Sequence, residues 1–297
     1  MTGLVDSCLQ ETGKGQPLAS GNGEANMDMD FTGRVVVVTG SASGIGRACA
    51  REFSARHAAV AIVDRDAKNG QQASNELRDK GFAADYFNCD VTSAAQVEQA
   101  MNGVVSRFGG IDVAVSNAGI QRYGTVVTLS EQEWDEVLDA NLKSAFLVSK
   151  YAIPHMLARG GGSIVITGSV QSAAAQRNSA HYVVSKHGLL GLARSIALDF
   201  GKQNIRANCI LPGSVDTPML HWAANLDSSP ERVLQACDAM HIRGRMGTPE
   251  EVARVIVFLA SDLASFVTGA AINVDGGLLV PVGGMSFQES GTGGSKV

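Results

Sequence analysis

The sequence has no apolar run long enough to span a bilayer, and it carries no excess of basic residues. Its 297 residues include 24 lysines and arginines against 29 aspartates and glutamates, a formal net charge of −5. The first property argues against a membrane partner, and the second argues against nucleic acid as the main partner. The six histidines show no paired ligand spacing, so we expect no metal site.

Cysteine is scarce, and residues 1–30 do not show the pattern expected of a targeting segment. The five cysteines are widely spaced and odd in number, which is typical of free thiols in a reducing cytosol. Residues 1–30 lack the basic start and the apolar centre of a secretory signal. We therefore expect a cytoplasmic protein with a flexible N-terminal extension over 1–30, one domain over 31–280 and a C-terminal tail over 281–297.

A glycine-rich turn is the first motif that the sequence does contain. The apolar, β-branched run Arg34–Thr39 predicts a strand buried on both faces of a parallel sheet. Gly40, Gly44 and Gly46 follow, and an amphipathic segment continues to about Arg56. Free backbone N–H groups and the positive end of a helix dipole would face a phosphate there. The spacing is not G-x-G-x-x-G, but the strand and helix that flank it favour a dinucleotide site.

The second predicted strand, Ala58–Val63, leads to an acidic residue that bears on the choice of cofactor. Asp64 follows the glycines by about 20 residues, the distance at which an acid grips a ribose 2′-hydroxyl. A carboxylate repels a 2′-phosphate, which favours NAD over NADP. Arg65 weakens this preference, because an arginine can accept a 2′-phosphate. No residue between Gly40 and Gly44 is basic, so NAD remains the predicted cofactor and NADP the less favoured one.

Strand and helix patterns alternate along the whole chain. Further strands are predicted at 83–87, 111–115, 163–167, 205–211 and 270–274, and helices at 68–79, 94–107, 131–158, 180–200 and 249–260. This order predicts a single-domain, Rossmann-like, doubly wound parallel sheet flanked by helices, in the α/β class. Ligands bind beyond the carboxyl ends of the strands in such sheets. The polar residues expected at those ends are Thr39, Asp64, Asp90, Asn117 and Ser169.

Two segments of the later chain are irregular in pattern. Ser130 and Glu133 form a predicted capping box that opens the helix over 131–158. Asn141 is unfavourable inside that helix, so it either marks a kink or serves chemistry. Residues 214–247 show no regular pattern, and we predict an irregular, mobile lid over the site.

Tyr182 and Lys186 are four residues apart, which places them on one face of a helix. An ammonium beside a phenol favours the phenolate and lowers the tyrosine pKa from about 10 toward neutrality. Such a tyrosine can exchange a proton with a substrate. Ser169 follows the strand over 163–167, so its hydroxyl is expected to meet the same substrate oxygen. Taken alone, the Tyr-x-x-x-Lys pattern also fits an ordinary pair on a helix surface.

With the glycine turn, Asn117-Ala118-Gly119 and Tyr-x-x-x-Lys together, the chain resembles the short-chain dehydrogenase/reductase family over roughly residues 31–279. The resemblance implies a catalytic tetrad in which Tyr182 is the acid/base and Ser169 orients the substrate oxygen. It implies further that Lys186 binds the nicotinamide ribose and lowers the Tyr182 pKa, while Asn141 holds a water. The implied cofactor-binding residues are Gly40, Ser43, Gly44, Ile45, Gly46, Asp64, Arg65, Asp90, Val91, Asn117, Ala118, Gly119, Tyr182, Lys186, Pro212, Gly213, Val215 and Thr217. Relatives are commonly homotetramers built on two long helices, so a homotetramer is expected.

Amide and imidazole side chains accompany the predicted catalytic segment. They are Gln171, Gln176, Asn178 and His181, with His221 and Trp222 in the predicted lid. Such groups suggest a small, polyhydroxylated substrate such as a sugar, sugar acid or polyol. The expected substrate-binding residues are Ser169, Gln171, Asn178, Tyr182 and His221. The alternative is that these side chains face water in a surface loop.

Two other functions stay open at this point. An NADPH-dependent 3-oxoacyl-(acyl-carrier-protein) reductase would use the same tetrad, although Asp64 and the lack of a basic carrier patch count against it. A non-catalytic dinucleotide-sensing protein would have lost the chemistry, whereas all four tetrad residues are present here.

Overall fold

The computed structural model describes residues 29–281. The predicted N-terminal extension lies outside this range except for its last two residues, and the predicted C-terminal tail lies outside it except for its first.

Seven parallel strands form one sheet in the order β3-β2-β1-β4-β5-β6-β7. They are β1 (Val35–Thr39), β2 (Ala59–Asp64), β3 (Ala84–Asn88), β4 (Val113–Ser116), β5 (Gly162–Thr167), β6 (Ile205–Pro212) and β7 (Ala271–Val274). The strand order reverses between β1 and β4, which is the switch point at which doubly wound sheets bind ligands. The predicted fold class is confirmed.

The connections between the strands are mostly helical. The helices are α1 (Gly44–Ser54), α2 (Ala67–Asp79), α3 (Ala94–Phe108), α4 (Glu131–Leu138), α5 (Ser144–Ala158), α6 (Ala180–Phe200), α7 (Pro218–Ala224), α8 (Pro230–Ala239) and α9 (Pro249–Ala260). Within residues 29–281, none of them combines the length and the apolarity that a bilayer crossing requires.

The sheet separates two apolar cores, and β1 shows how one strand serves both. Val35 and Val37 pack with α3, α5 and α6, whereas Val36 and Val38 pack with α1, α2 and α9. Side chains alternate between the two faces of a strand, so a run of valines is buried on both sides. Each fully buried valine contributes roughly 1.5–3 kcal/mol. The result is a rigid platform for the turns at the carboxyl edge.

The predicted helix over 131–158 is interrupted in the structure. Its capping box is confirmed, since the Ser130 hydroxyl accepts from the Glu133 N–H and the Glu133 carboxylate accepts from the Ser130 N–H. A π-turn, Asp139–Lys143, then separates α4 from α5. Asn141 lies in this turn, and one-turn π segments often mark functional sites.

The prediction that residues 214–247 are irregular is wrong, because the segment contains α7 and α8. Both helices begin with proline, and Thr217 caps α7 by accepting a hydrogen bond from the Leu220 N–H at 3.4 Å. Thr-Pro and Ser-Pro are helix-start signals. Two short helices of seven and ten residues carry too few turns for their apolar periodicity to be recognised.

Candidate active site

A cleft of about 660 Å³ opens at the carboxyl edge of the sheet. The turns after β1 to β6 form its floor, and α7 and α8 form the wall at one end. The volume is in the usual range of small-molecule sites. All of the expected cofactor-binding residues except Gly46 line this cleft, and so do Ser169, Tyr182 and Lys186 of the predicted tetrad.

The glycine turn brings the backbone of β1 close to that of β4. Gly40 has a φ of +65°, and a Cβ there would lie 2.8 Å from the Ala118 Cα. Gly46 lies beneath the cleft and packs directly against the Gly40 carbonyl oxygen. A Cβ on Gly46 would overlap that oxygen, so only glycine fits there. Ser43 precedes α1 without bonding its N–H groups. These N–H groups and the glycines Gly40 and Gly44 at the two ends of the turn fit a pyrophosphate.

Thr39 and Asn117 fix this turn from below. The Thr39 hydroxyl accepts from the N–H groups of Asn117 (3.0 Å) and Ala118 (3.2 Å). The Asn117 amide donates in return to the carbonyl oxygens of Thr39 (3.0 Å) and Gly40 (3.3 Å). The ends of β1 and β4 are thereby held together at the switch point.

The far end of the cleft carries three charged residues. The Asp64 carboxylate accepts from the backbone N–H groups of Ala42 and Asp66, each at 2.9 Å, and so borders the glycine turn. Arg65 is exposed beside it. The Asp90 carboxylate accepts from the N–H and hydroxyl of Thr92, and the backbone bond in particular lowers the Asp90 pKa.

Tyr182, Ser169 and Lys186 converge at the opposite end. The Lys186 Nζ lies 5.4 Å from the centre of the Tyr182 ring and donates to the Thr167 carbonyl oxygen at 2.9 Å. The Ser169 hydroxyl, at the end of β5, accepts from the Gln171 N–H at 3.1 Å. The helical spacing of Tyr182 and Lys186 thus places both side chains in the cleft.

The electrostatics of this pair differ from the prediction. Burial raises the pKa of Tyr182 to about 12, although the Ser169 hydroxyl acts in the opposite direction. Burial also lowers the pKa of Lys186 to about 8. The predicted lowering of the Tyr182 pKa by Lys186 is therefore wrong for the chain by itself, because sequence spacing carries no information about desolvation. The phenol is a neutral proton donor at pH 7.

Asn141 lies behind the cleft wall and is 2% exposed. Its Oδ1 accepts from the Ile120 N–H at 2.7 Å. Its Nδ2 donates to the Ile120 carbonyl oxygen at 3.0 Å and to the Ser185 hydroxyl at 3.2 Å. Asn141 thus ties the π-turn to the chain after β4 and to α6. Its water-holding role stays a prediction.

Of the remaining expected substrate residues, the structure places only Gln171 in the cleft. The exposed Asn178 has a φ of +56°, and its carbonyl oxygen accepts from the Gly124 N–H. The exposed His221 pairs with Asp216 at 2.6 Å. Neither side chain is part of the cleft lining.

His181 is fully buried in the first turn of α6. Its Nδ1 accepts from the Tyr182 N–H at 3.0 Å, while its Nε2 has no hydrogen-bond partner. Burial lowers the His181 pKa and favours the neutral imidazole. Trp222 stacks near Arg122 instead of lining the cleft. The imidazole and indole groups expected near a substrate are therefore absent from the lining.

Sequence reasoning missed the apolar wall next to Tyr182. It consists of Tyr123 from the loop after β4 and Met219, Leu220, Val233, Cys237 and Met240 from α7, α8 and the residue after it. The two proline-headed helices were the signal that could have revealed it.

The family profile described as enoyl-(acyl carrier protein) reductase matches residues 40–279. The chain belongs to the short-chain dehydrogenase/reductase family. A cis-4-hydroxycyclohexanecarboxylate dehydrogenase from Sinomonas cyclohexanicum is 41% identical over 83% of this chain and 97% of its own. A 3-oxoacyl-(acyl-carrier-protein) reductase from Thermotoga maritima is 36% identical over 85% of this chain and all of its own.

A solved short-chain dehydrogenase/reductase structure has the same architecture. The ligand-free aldohexose dehydrogenase from Thermoplasma acidophilum superposes with a TM-score of 0.80 and 36% identity, covering 88% of this chain and 99% of its own. The predicted resemblance to a family that includes sugar dehydrogenases is therefore confirmed. As a member of this family, the protein is an oxidoreductase of alcohols and ketones that uses a nicotinamide dinucleotide.

Proposed function

We propose that this protein interconverts a secondary alcohol and the matching ketone with NAD(H), and that Tyr182 is its acid/base. The observation that carries the proposal is the convergence of the Tyr182 phenol, the Ser169 hydroxyl and the Lys186 ammonium at one end of a single cleft. The other end of that cleft holds the glycine turn and Asp64.

The residues at that other end fit a dinucleotide. The free N–H groups at the start of α1 (Gly44–Ser54) would bind the pyrophosphate, and the Asp64 carboxylate would accept from a ribose hydroxyl. When bound, the nicotinamide supplies the hydride chemistry. The chain then has to orient the alcohol and move the proton.

NAD rather than NADP is supported by the charges at the adenosine end. The Asp64 carboxylate is held against the glycine turn, where it would repel a 2′-phosphate. Arg47 at the start of α1 is committed to Glu76, with 2.5 Å between its Nη2 and the carboxylate oxygen. Within the part of the chain that the structure describes, Arg65 is the one arginine that lines the cleft, and it is exposed.

Proton transfer is assigned to the phenol. In ketone reduction the neutral Tyr182 gives its proton to the carbonyl oxygen, which the Ser169 hydroxyl also meets. In alcohol oxidation the Tyr182 phenolate takes that proton back. With the dinucleotide bound, the Lys186 ammonium, 5.4 Å from the centre of the Tyr182 ring, would offset part of the cost of burying the phenolate.

Assembly and location remain proposals as well. We propose a cytoplasmic homotetramer that uses the outer faces of α5 and α6. Phe146 on α5 and Val184 and Leu198 on α6 support this, since their side chains are 48%, 45% and 84% exposed. Exposed apolar side chains on two long helices are typical of an interface between copies.

The test is a set of initial rates with NAD and with NADP on neutral secondary alcohols, followed by absorbance of the reduced nicotinamide. We expect turnover with NAD and a clear preference over NADP. The main competitor is the 3-oxoacyl-(acyl-carrier-protein) reductase activity that one relative's name describes. Activity confined to NADPH and acyl thioesters would overturn the proposal, and so would the absence of turnover on every alcohol.

A further inference from the structure

We propose that the substrate is an uncharged secondary alcohol or ketone with an apolar body and few further hydroxyls. This inference rests on the proposed function and narrows it, because it favours such compounds over sugars, sugar acids and polyols. It comes from the wall of the cleft that faces Tyr182, and not from the catalytic residues themselves.

Backbone pairing places the loop after β4 beside the start of α6. The Gly124 N–H donates to the Asn178 carbonyl oxygen at 2.7 Å, and the Ala180 N–H donates to the Gly124 carbonyl oxygen at 3.3 Å. Tyr123 therefore lies near the helix turn that carries Tyr182, while Cys237 on α8 borders the same cleft. All three side chains line the cleft. The space next to the reacting phenol is thus bordered by α8 and by the loop after β4.

The chemistry of this wall is apolar. Met219 and Leu220 on α7, Val233 on α8 and Met240 after it offer only aliphatic or thioether groups. Met219 and Met240 are 39% and 52% exposed, so a ligand can still remove apolar surface from water there. Methionine side chains also adapt to irregular apolar shapes.

Among residues 29–281, no free charge is available at this end for a charged substrate. Of the cleft-lining residues in that range, only Asp64, Arg65, Asp90 and Lys186 carry charge, and the first three lie at or just after the ends of β2 and β3 at the adenosine end. The Lys186 ammonium donates to the Thr167 carbonyl oxygen, and in the proposed function its remaining N–H groups face the nicotinamide ribose and Tyr182. A substrate carboxylate would therefore be desolvated without a partner, which is costly. This disfavours sugar acids and other hydroxy acids.

Two buried polar atoms of the described lining at this end, the Gln171 Oε1 and the Thr167 Oγ1, have no hydrogen-bond partner. The Gln171 Oε1 is buried and accepts no hydrogen bond, while its Nε2 donates to the Gln176 Oε1 at 2.5 Å. Gln121 is engaged with Ser179 at 3.0 Å. A single substrate hydroxyl could satisfy the Gln171 oxygen. The further hydroxyls of a polyol would lie against methionine and valine without partners.

The first experiment compares two substrate sets with NAD. We expect kcat/KM for cyclohexanol and cis-1,4-cyclohexanediol to exceed that for D-threitol and D-glucose by at least about 100-fold, since unpartnered hydroxyls are strongly rejected. Faster turnover of threitol or glucose with NAD would overturn this inference and leave the proposed function standing. If neither set reacts, both are overturned.

Two variants test whether the apolar wall contacts the substrate. Val233→Asn should lower kcat/KM for cyclohexanol at least about tenfold and leave the NADH dissociation constant, read by fluorescence, unchanged. The matched control is Arg232→Gln on the exposed side of the same helix, which should change neither value. Equal activity of Val233→Asn and wild type would place the substrate elsewhere and overturn the inference.

Gln171→Leu tests the polar contact to the Gln171 oxygen. It should raise the KM for cis-1,4-cyclohexanediol several-fold while the KM for cyclohexanol stays the same or falls. Binding gives an independent reading, because cyclohexanone should raise the melting temperature of the NADH-saturated wild type and D-erythrulose should not. The reverse order of these two ketones would contradict an apolar pocket.

Discussion

The two edges of the sheet both carry buried polar residues, but they use them differently. At the amino edge, around a cavity of about 300 Å³, the 4% exposed Asp112 accepts from the Val35 N–H at 2.7 Å and from Arg159 at 3.0 and 3.1 Å. Arg206 donates to the last carbonyl oxygens of α9, at Leu259 and Ala260. The polar groups there satisfy one another.

At the carboxyl edge, several polar groups keep unused capacity. The Lys186 ammonium has one protein acceptor, the Gln171 Oε1 has no donor, and the N–H groups that open α1 have no side-chain cap. Buried polar atoms are normally paired. Polar groups that pair with each other stabilise the fold, whereas unpaired polar groups are available to a ligand. All residues of the proposed function lie at the carboxyl edge.

The largest expected effect is a loss of activity from a substitution at the carboxyl edge. Tyr182→Phe should lower kcat by about 10³-fold, or about 4 kcal/mol of activation free energy, because it removes the transferred proton. NADH affinity and melting temperature should stay near wild type. The control is Tyr123→Phe, which changes another tyrosine of the same cleft and should cost less than about tenfold. Equal losses in the two variants would remove the special role of Tyr182.

The second prediction concerns the amino edge. Asp112→Asn should lower the free energy of unfolding by about 2 kcal/mol, because the buried amide would turn an NH2 donor toward the Val35 N–H or the Arg159 guanidinium, both of which need an acceptor. Its kcat/KM should stay within about twofold of wild type at a temperature where it is folded. Urea denaturation and steady-state rates measure the two quantities. Arg34→Gln, whose contact with Asp112 spans 3.9 Å, should change stability by less than about 0.5 kcal/mol.

Cofactor choice gives the third prediction. Asp64→Ser should reduce the ratio of NADPH to NADH dissociation constants by roughly 10- to 100-fold, since the charge that repels a 2′-phosphate is gone. Arg65→Gln, at the neighbouring position, should shift that ratio the other way by a smaller amount. Fluorescence titration of both variants measures this. An unchanged ratio in Asp64→Ser would show that the adenosine ribose does not meet this residue.

The smallest effect is a pH dependence of stability. The Lys186 pKa falls from 10.5 to about 8 in the folded protein, so the folded state binds fewer protons than the unfolded state between these values. Stability therefore rises with pH through this window, by at most about 1 kcal/mol per pH unit. In urea denaturation at pH 7.5, 8.5 and 9.5, the free energy of unfolding of wild type should rise with pH relative to that of Lys186→Met. Parallel pH profiles would show that Lys186 is not desolvated.

The sequence was informative where local pattern decides the structure. The valine run of β1 (Val35–Thr39) predicted a strand buried on both faces, and the capping box at Ser130 predicted the start of α4. The glycine turn and the four-residue spacing of Tyr182 and Lys186 correctly indicated that these groups share one cleft.

The rest depended on packing that no local pattern contains. Burial reversed the predicted direction of the Tyr182 pKa. Asn178 and His221 are close in sequence to cleft residues, yet their side chains are exposed and lie outside its lining. The apolar wall was not predicted because α7 and α8 are short. Only their first residues, Pro218 and Pro230, indicate a helix in the sequence.

The most direct test of the comparison is a crystal structure of the protein with NAD bound. We expect adenosine ribose hydroxyls within hydrogen-bond distance of the Asp64 carboxylate and the nicotinamide ring beside Tyr182 and Lys186. A dinucleotide in the reverse orientation, or one bound at the amino edge beside Asp112 and Arg159, would contradict this expectation.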